Sequence, residues 1–335
     1  MPFRPIAKFS ILGAQAFALV FLWLITGCND ISTERPIRIS ANAWVGYEPL
    51  FLAESKKFFD EGSVDLIEAP FFATQEQAFR GGTIDASAVS LSSAFSLVSA
   101  GHDITIILVL DWSKGADKVM ASSQIATAAE LRGKRVGIEP GSVSSYLLSR
   151  ALQKYSLKPS DVTVVPMLYQ ELTEAFLAGD IDAASVFGHQ AQLLEENGAH
   201  SVFDSSKTPG EILDVLVVRT AYLQNNPKRV EQLISGWLKA VASLENDHQR
   251  PESLRPSPGA NESTTTNLAD APGSLVHLSG SAENHSFLES NAQRLRTVLS
   301  ARLKHHKNMS EYVDMHSPPT IDPKPFLRAS GDEGI

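Results

Sequence analysis

From Ile37 onward, short apolar stretches alternate with amphipathic ones, the pattern of strands and helices taken in turn. A strand from Ile37 leads into the turn Trp44-Val45-Gly46-Tyr47. A helix follows from about Pro49, a residue suited to a first helical turn, to Phe59, and then a strand from Val64 to Glu68. A short helix around Gln75 to Arg80 ends at Gly81-Gly82. Beyond it the spacing predicts a strand Ile84 to Val89, the serine-rich Ser90-Leu91-Ser92-Ser93, a helix Ala94 to Ala100 and an apolar strand Ile104 to Leu110.

Further along, Val136 and Ile138 mark a strand that runs through Gly141-Ser142 into a helix whose buried face carries Leu147, Leu148, Ala151 and Leu152. Ser142 or Ser144 can cap that helix. The first backbone N–H groups of such a helix lack partners, so a small polar or anionic ligand can settle there, although an ordinary βα unit has the same look. The nine residues Ala78 to Ala86 return 97 positions later as Ala175 to Ala183, six of them identical. The same offset lays Arg38-Ile39 on Arg135-Val136, Val64 to Glu68 on Asp161 to Val165, and the turn at Trp44 to Tyr47 on that at Gly141 to Ser144. A duplicated α/β half is the expectation, with equivalent strand ends near Gly46 and Gly141 facing each other across a ligand cleft.

Polar residues Asp111 to Asp117 read as a crossover between the halves, and Thr127 to Glu130 as a capping box before Gly133. An apolar strand Ile212 to Val218 reads as the return crossing, followed by an amphipathic helix Pro227 to Ala242. Residues 246–285, crowded with Pro, Ser, Thr, Asn and Gly, read as a long polar surface segment. Helical signal resumes at about Ser286 to Lys304 and Met309 to Met315, and Ile321 to Leu327 closes the chain. The expected division is a first lobe at 37–111, a second lobe at 112–214, and a return to the first lobe at 215–335.

The N-terminus changes the picture of where the chain works. Arg4 and Lys8 precede an apolar run from Phe9 to Ile25, the pattern of a secretory signal over residues 1–27. Leu24-Ile25-Thr26-Gly27-Cys28 resembles the lipobox of bacterial lipoproteins, which implies that Cys28 is lipidated and that 28–36 is a polar tether. Net charge is −9, so nucleic acid is not an expected partner. A single cysteine excludes an internal disulfide and a cysteine-rich metal site, and His305, His306 and His316 lack metal-ligand spacing, so neither metal nor cofactor is expected.

Taken together, Ala41-Asn42-Ala43-Trp44-Val45-Gly46-Tyr47-Glu48-Pro49, Leu131 to Gly137 with Gly141-Ser142, and Ala178 to Ala183 resemble the nitrate/sulfonate/taurine-type substrate-binding proteins of bacterial ABC importers. The fungal thiamine-pyrimidine synthases are similar to the same family. The resemblance implies a type II periplasmic-binding-protein fold, two α/β lobes joined by two crossovers, closing on a small solute for delivery to an ABC permease. It implies a monomer held by Cys28 at the periplasmic face of a bacterial membrane. Phe187-Gly188-His189 stands where many relatives carry Trp-Glu-Pro, and the proline-rich 250–258 stands where they continue in helix.

Candidate ligand contacts are the strand ends facing the inferred cleft. They are Trp44, Gly46 and Tyr47, then Ser90 and Ser92, Asp111, Trp112 and Ser113, then Gly141, Ser142 and Val143, with Phe187 and Asp214. Hydroxyls and N–H groups suit oxygens of a sulfonate, nitrate or carboxylate, and the aromatics suit a carbon body or ring. Two of Asp111, Glu139 and Asp214 facing the cleft would instead call for an amine or a pyrimidine. Binding without chemistry is the leading expectation. A sensory or adaptor lipoprotein is the alternative, and a lyase or pyrimidine synthase on the same fold comes third.

Overall fold

Ile37 and Ile39 are fully buried on either side of half-buried Arg38, so the strand β1 (Ile37–Ala41) forms with both faces committed. In the computed structural model, residues 35–246, 276–279, 284, 319–322 and 324–330 are described. Cys28, the leader, most of the segment expected at 246–285, and those expected at 286–304 and 309–315 lie outside them; within 246–285, Val276 to Ser279 and Asn284 are buried and not on the surface, because they pair with the first sheet.

β1 pairs in parallel with β2 (Val64–Glu68) and β3 (Ala86–Ser90). The long β4 (Ile104–Ser113) and the return strand β10 (Leu213–Arg219) complete the centre of a seven-stranded sheet, with β10 inserted antiparallel between β3 and β4. The short strands Val276–Leu278 and Thr320–Ile321 dock on the outer edge of β4. Asn284 fills the gap between them: its side chain accepts from Val109 N at 2.8 Å and donates to Val109 O at 2.9 Å, satisfying buried backbone groups that a strand would otherwise serve.

A second sheet of five strands has the order β7, β6, β8, β5, β9, built from β5 (Asp117–Ala121), β6 (Arg135–Ile138), β7 (Thr163–Pro166), β8 (Ala183–Phe187) and β9 (His200–Asp204). Here β6 runs parallel to β7 and β8, while β5 is antiparallel to β8 and β9. The duplication holds in the pairing at the centre of each sheet. Ile39 faces Ala86 and Val136 faces Ala183, each pair 97 positions from the other. Arg38 donates from N, Nε and Nη2 to the Asp85 carboxylate at 3.0–3.1 Å and from Nη2 to Gly82 O at 2.9 Å. Arg135 repeats every one of these bonds on Asp182 and Gly179.

Several boundaries differ from the sequence reading. The helix after Tyr47 runs Glu48–Ser55 and stops short of Phe59, because Lys57 turns left-handed (φ 56°) and Phe58 N bonds back to Ala53 O at 2.8 Å. Thr127 begins a 3-10 turn without capping it, although Glu130 reaches back to Ala126 N at 3.1 Å. Asp111 to Ser113, expected in a crossover, are the last residues of β4, where pairing with β10 and Val276–Leu278 extends the strand. The chain passes between the sheets at 114–116 and again at 205–212. These passages lie side by side: Ser113 Oγ meets Ser205 Oγ at 2.6 Å, Gly115 N donates to Ser205 Oγ at 2.6 Å, and Ser113 N donates to Ile212 O at 2.9 Å.

The helix Pro227–Asn246 covers the first sheet, burying Val230, Leu233, Ile234, Trp237 and Val241. Phe187, at the end of β8, packs against the cores of both sheets.

Candidate functional site

The parallel strands of the two halves end at one cavity of about 700 Å³. Its walls are paired by the duplication. Asn42 and Glu139, Val45 and Ser142, Phe72 and Tyr169, and Ser90 and Phe187 are equivalents 97 positions apart, and all eight line it.

One wall is aromatic and spans both sheets. Trp44 meets the Phe187 ring edge-on at 5.4 Å, and Phe187 stacks on Tyr169 at 4.4 Å. The Tyr169 hydroxyl donates to Phe187 O at 2.8 Å and accepts from Phe187 N at 3.0 Å, fixing the turn at which β8 gives way to the helix Gly188–Glu196. A second wall is serine-rich. Ser90 accepts from Ser93 N at 3.1 Å as the cap of the helix Leu91–Ser99, and Ser142 accepts from Ser144 N at 3.1 Å as the cap of Val143–Lys154.

The third component is acidic. Asp214 lines the cavity and lies directly across from Asp111 in the β4–β10 pair. Burial, and then the Asp214 charge, push Asp111 well above the usual carboxylate range. Trp44 Nε1 donates to Asp111 at 3.2 Å, and the Tyr47 hydroxyl, itself raised by burial and by both acids, donates to Asp214. Glu139 stands opposite, at the end of β6, with 6% of its surface exposed. Burial raises its pKa to about 7, opposed by the Ser142 side chain and the Tyr169 backbone. Its Oε1 has no hydrogen-bond partner.

Of the residues singled out from sequence, Trp44, Tyr47, Ser90, Ser142, Val143, Phe187 and Asp214 line the cavity. The others stand behind it. Gly46 is packed so closely that a Cβ there would sit 2.0 Å from Asp111 Oδ2 and 2.6 Å from Trp44 Nε1. Ser92 is buried in its helix, Asp111 bonds Trp44, Trp112 stacks on His277 at 3.6 Å, and Ser113 ties the two passages together. Gly141, like Gly46, is not itself on the lining. Its carbonyl accepts from Ser96 Oγ of the first sheet's helix at 2.7 Å, an approach a Cβ would block because it would lie 2.5 Å from that hydroxyl. Sequence reasoning did not place Asp117, Tyr169 or the stretch His189 to Gln192 on the wall. Carrying the candidates along by 97 leads from Ser92 to His189, one of the lining residues not placed there.

Among the described residues no cluster of three or more His, Cys, Asp or Glu side chains could hold a metal, and no helix is long and apolar enough to cross a membrane.

Two α/β halves joined by two passages, with a cavity at the carboxyl ends of their strands, define the two-lobed fold of periplasmic-type binding proteins. The chain belongs to the NMT1-like family, which it matches over residues 31–255. It is 28% identical over 230 residues to the taurine-binding periplasmic protein of Escherichia coli (strain K12), covering 65% of this chain and 68% of that one. Its fold is similar to that of the alkanesulfonate-binding protein from Xanthomonas axonopodis pv. citri bound to MOPS, with TM-score 0.64 and 18% identity over 86% of this chain and 98% of the other. The periplasmic nitrate-binding protein from Synechocystis PCC 6803 is also similar, with TM-score 0.61 and 12% identity over 89% of each chain.

Proposed function

We propose that this protein is the solute-binding component of an ABC importer, capturing a small organic solute outside the cytoplasmic membrane and handing it unchanged to a permease. The observation that carries this reading is the cavity itself, walled by equivalent residues of both halves and of a volume that suits a small molecule. Membership of the family and likeness to proteins named for binding taurine, alkanesulfonates and nitrate support it. In this reading the leader is removed and a lipidated Cys28 tethers a monomer to the periplasmic face of the membrane. Trp44, Tyr47, Ser90, Ser142, Val143, Phe187 and Asp214 touch the solute, while Gly46, Ser92, Asp111, Trp112, Ser113 and Gly141 hold that wall in shape. The two lobes hinge at 114–116 and 205–212, and a solute touching both favours the closed state. No cofactor takes part and no bond in the solute changes.

The purified full-length protein, incubated with a small-molecule extract and then dialysed, should show a raised melting temperature. Denaturation should then release an intact compound at about one per chain. Release of a chemically altered compound, with turnover in excess of the protein, would replace the receptor with an enzyme.

A further inference from the structure

The relatives named above are binders of sulfonates and nitrate, and an anion site is built from cations and convergent N–H donors. This cavity has the opposite character. Glu48, Asp117, Glu139, Glu195 and Asp214 line it, and no arginine does so among the described residues. Its lysine, Lys118, is committed to Glu195 at 2.7 Å. His189 is the other lining side chain able to carry positive charge. The helices that open at Ser90 and Ser142 carry their own side-chain caps, whereas Phe72–Arg80 and Gly188–Glu196, whose first residues also line the cavity, have none, so the case against an anion rests on the acidic lining.

A second observation is independent of the charge count. Glu139 is buried, stands on the cavity wall and has one carboxylate oxygen without a hydrogen-bond partner. An acceptor withdrawn from water and left unmatched is costly, and a donor arriving with the ligand would meet it. The neighbouring surfaces define the rest of the ligand. Phe187 and Tyr169 form a stacked pair, with Trp44 set edge-on against Phe187, which suits the face of a flat ring and the positive charge that it carries. The volume of about 700 Å³ is far larger than one oxyanion, so the occupant has a carbon body.

We infer that the cleft is selective for an organic cation, a flat ring or amidine bearing N–H donors, which donates to Glu139 and lies against Phe187. This rests on the solute-capture reading and narrows it to one sign of charge. Asp214 would hold the far end of the ligand or its second donor.

The test uses probes that share a ring or chain and differ in the charged group. Benzamidinium, 4-aminopyridinium and choline are set against benzenesulfonate, ethanesulfonate and nitrate, each at millimolar concentration with the full-length protein. The cations, the two flat ones most strongly, should raise the melting temperature in a saturable way, and Glu139→Gln should weaken their binding at least tenfold by calorimetry. Because the Glu139→Gln protein could fail to fold, its melting temperature without ligand is measured alongside, and Asp214→Asn provides a second route to the same loss. Saturable binding of benzenesulfonate, ethanesulfonate or nitrate in preference to the cations would overturn the inference and leave solute capture standing. Silence toward both signs would overturn it as well. Silence toward the small-molecule extract in addition would carry the failure to solute capture itself.

Discussion

At the scale of single residues, Glu139 is the group whose chemistry the fold alters most usefully. Its pKa rises from 4.5 to about 7 because burial disfavours the charged form, and the Ser142 hydroxyl and the Tyr169 backbone only partly oppose that. No cationic side chain is among the causes. The Tyr169 phenol, pushed well above its ordinary value by burial, also feels the charges of Asp117 and Glu139. A carboxyl whose folded value lies above its unfolded one contributes most stability below about pH 4.5, where it is protonated in both states. That contribution falls as pH rises through about 7, by about 3 kcal/mol in total. Glu139→Gln removes the titration, so in the absence of ligand the variant should gain on the parent between pH 5 and pH 8. Urea unfolding at both pH values measures the difference. An identical pH slope in the two proteins would mean that Glu139 is not buried as an acid. In the sequence Glu139 was visible only as one of three acids that sat uneasily with an anionic ligand. Its carboxyl bonds Ser142 three residues on and the Tyr169 backbone 30 residues on, and the second contact is one that periodicity does not encode.

At the scale of elements, the duplication has a physical core in the two arginine clamps. Arg38 to Asp85 and Arg135 to Asp182 each lock the start of a first strand to the turn before its parallel neighbour, with the same donors on the same acceptors. The settings differ: the Asp85 side chain is 3% exposed and that of Asp182 is 30% exposed. Breaking the buried clamp leaves charge and backbone donors without water, at a cost of about 3 kcal/mol, whereas solvent screens the outer one. Asp85→Asn should therefore lower the urea midpoint clearly more than Asp182→Asn, and equal losses would show that burial does not set their weight. The repeat that exposes this pair was legible in Ala78 to Ala86 and Ala175 to Ala183, and it carried the strand order of both halves. The antiparallel strands β5 and β9 were not legible. Asp117–Ala121 and His200–Asp204 are five residues each and begin on polar residues, and they become strands because Asp117–Ala121 pairs with β8 on one side and with His200–Asp204 on the other. The helix Gly188–Glu196 was missed too, although Leu91–Ser99 shifted by 97 gives its limits residue for residue.

At the scale of the whole molecule, the two sheets touch where a ligand would have to sit, and that makes closure observable. Trp44 of the first sheet rests edge-on against Phe187 of the second at 5.4 Å, and Ser96 Oγ bonds Gly141 O across the same boundary at 2.7 Å. Both contacts depend on the angle between lobes, while the passages at 114–116 and 205–212 are short and tied side by side, which permits rotation with little else disturbed. A ligand that bridges the halves changes the population of closed molecules by its differential affinity for them, and the environment of Trp44 changes with it. The other tryptophans among the described residues are poorly placed to report this. Trp112 is stacked on His277 behind the wall, and Trp237 is fully buried on the inner face of the helix Pro227–Asn246 with Nε1 on Ser279 O at 3.3 Å. Saturating ligand should therefore shift the intrinsic fluorescence of the protein, and the difference spectrum should vanish in Trp44→Phe, a variant that keeps the ring against Phe187 but loses the donor to Asp111. Calorimetry on the same variant checks that ligand still binds. A difference spectrum that survives Trp44→Phe at full amplitude, with binding intact, would mean that the lobes do not close over this wall.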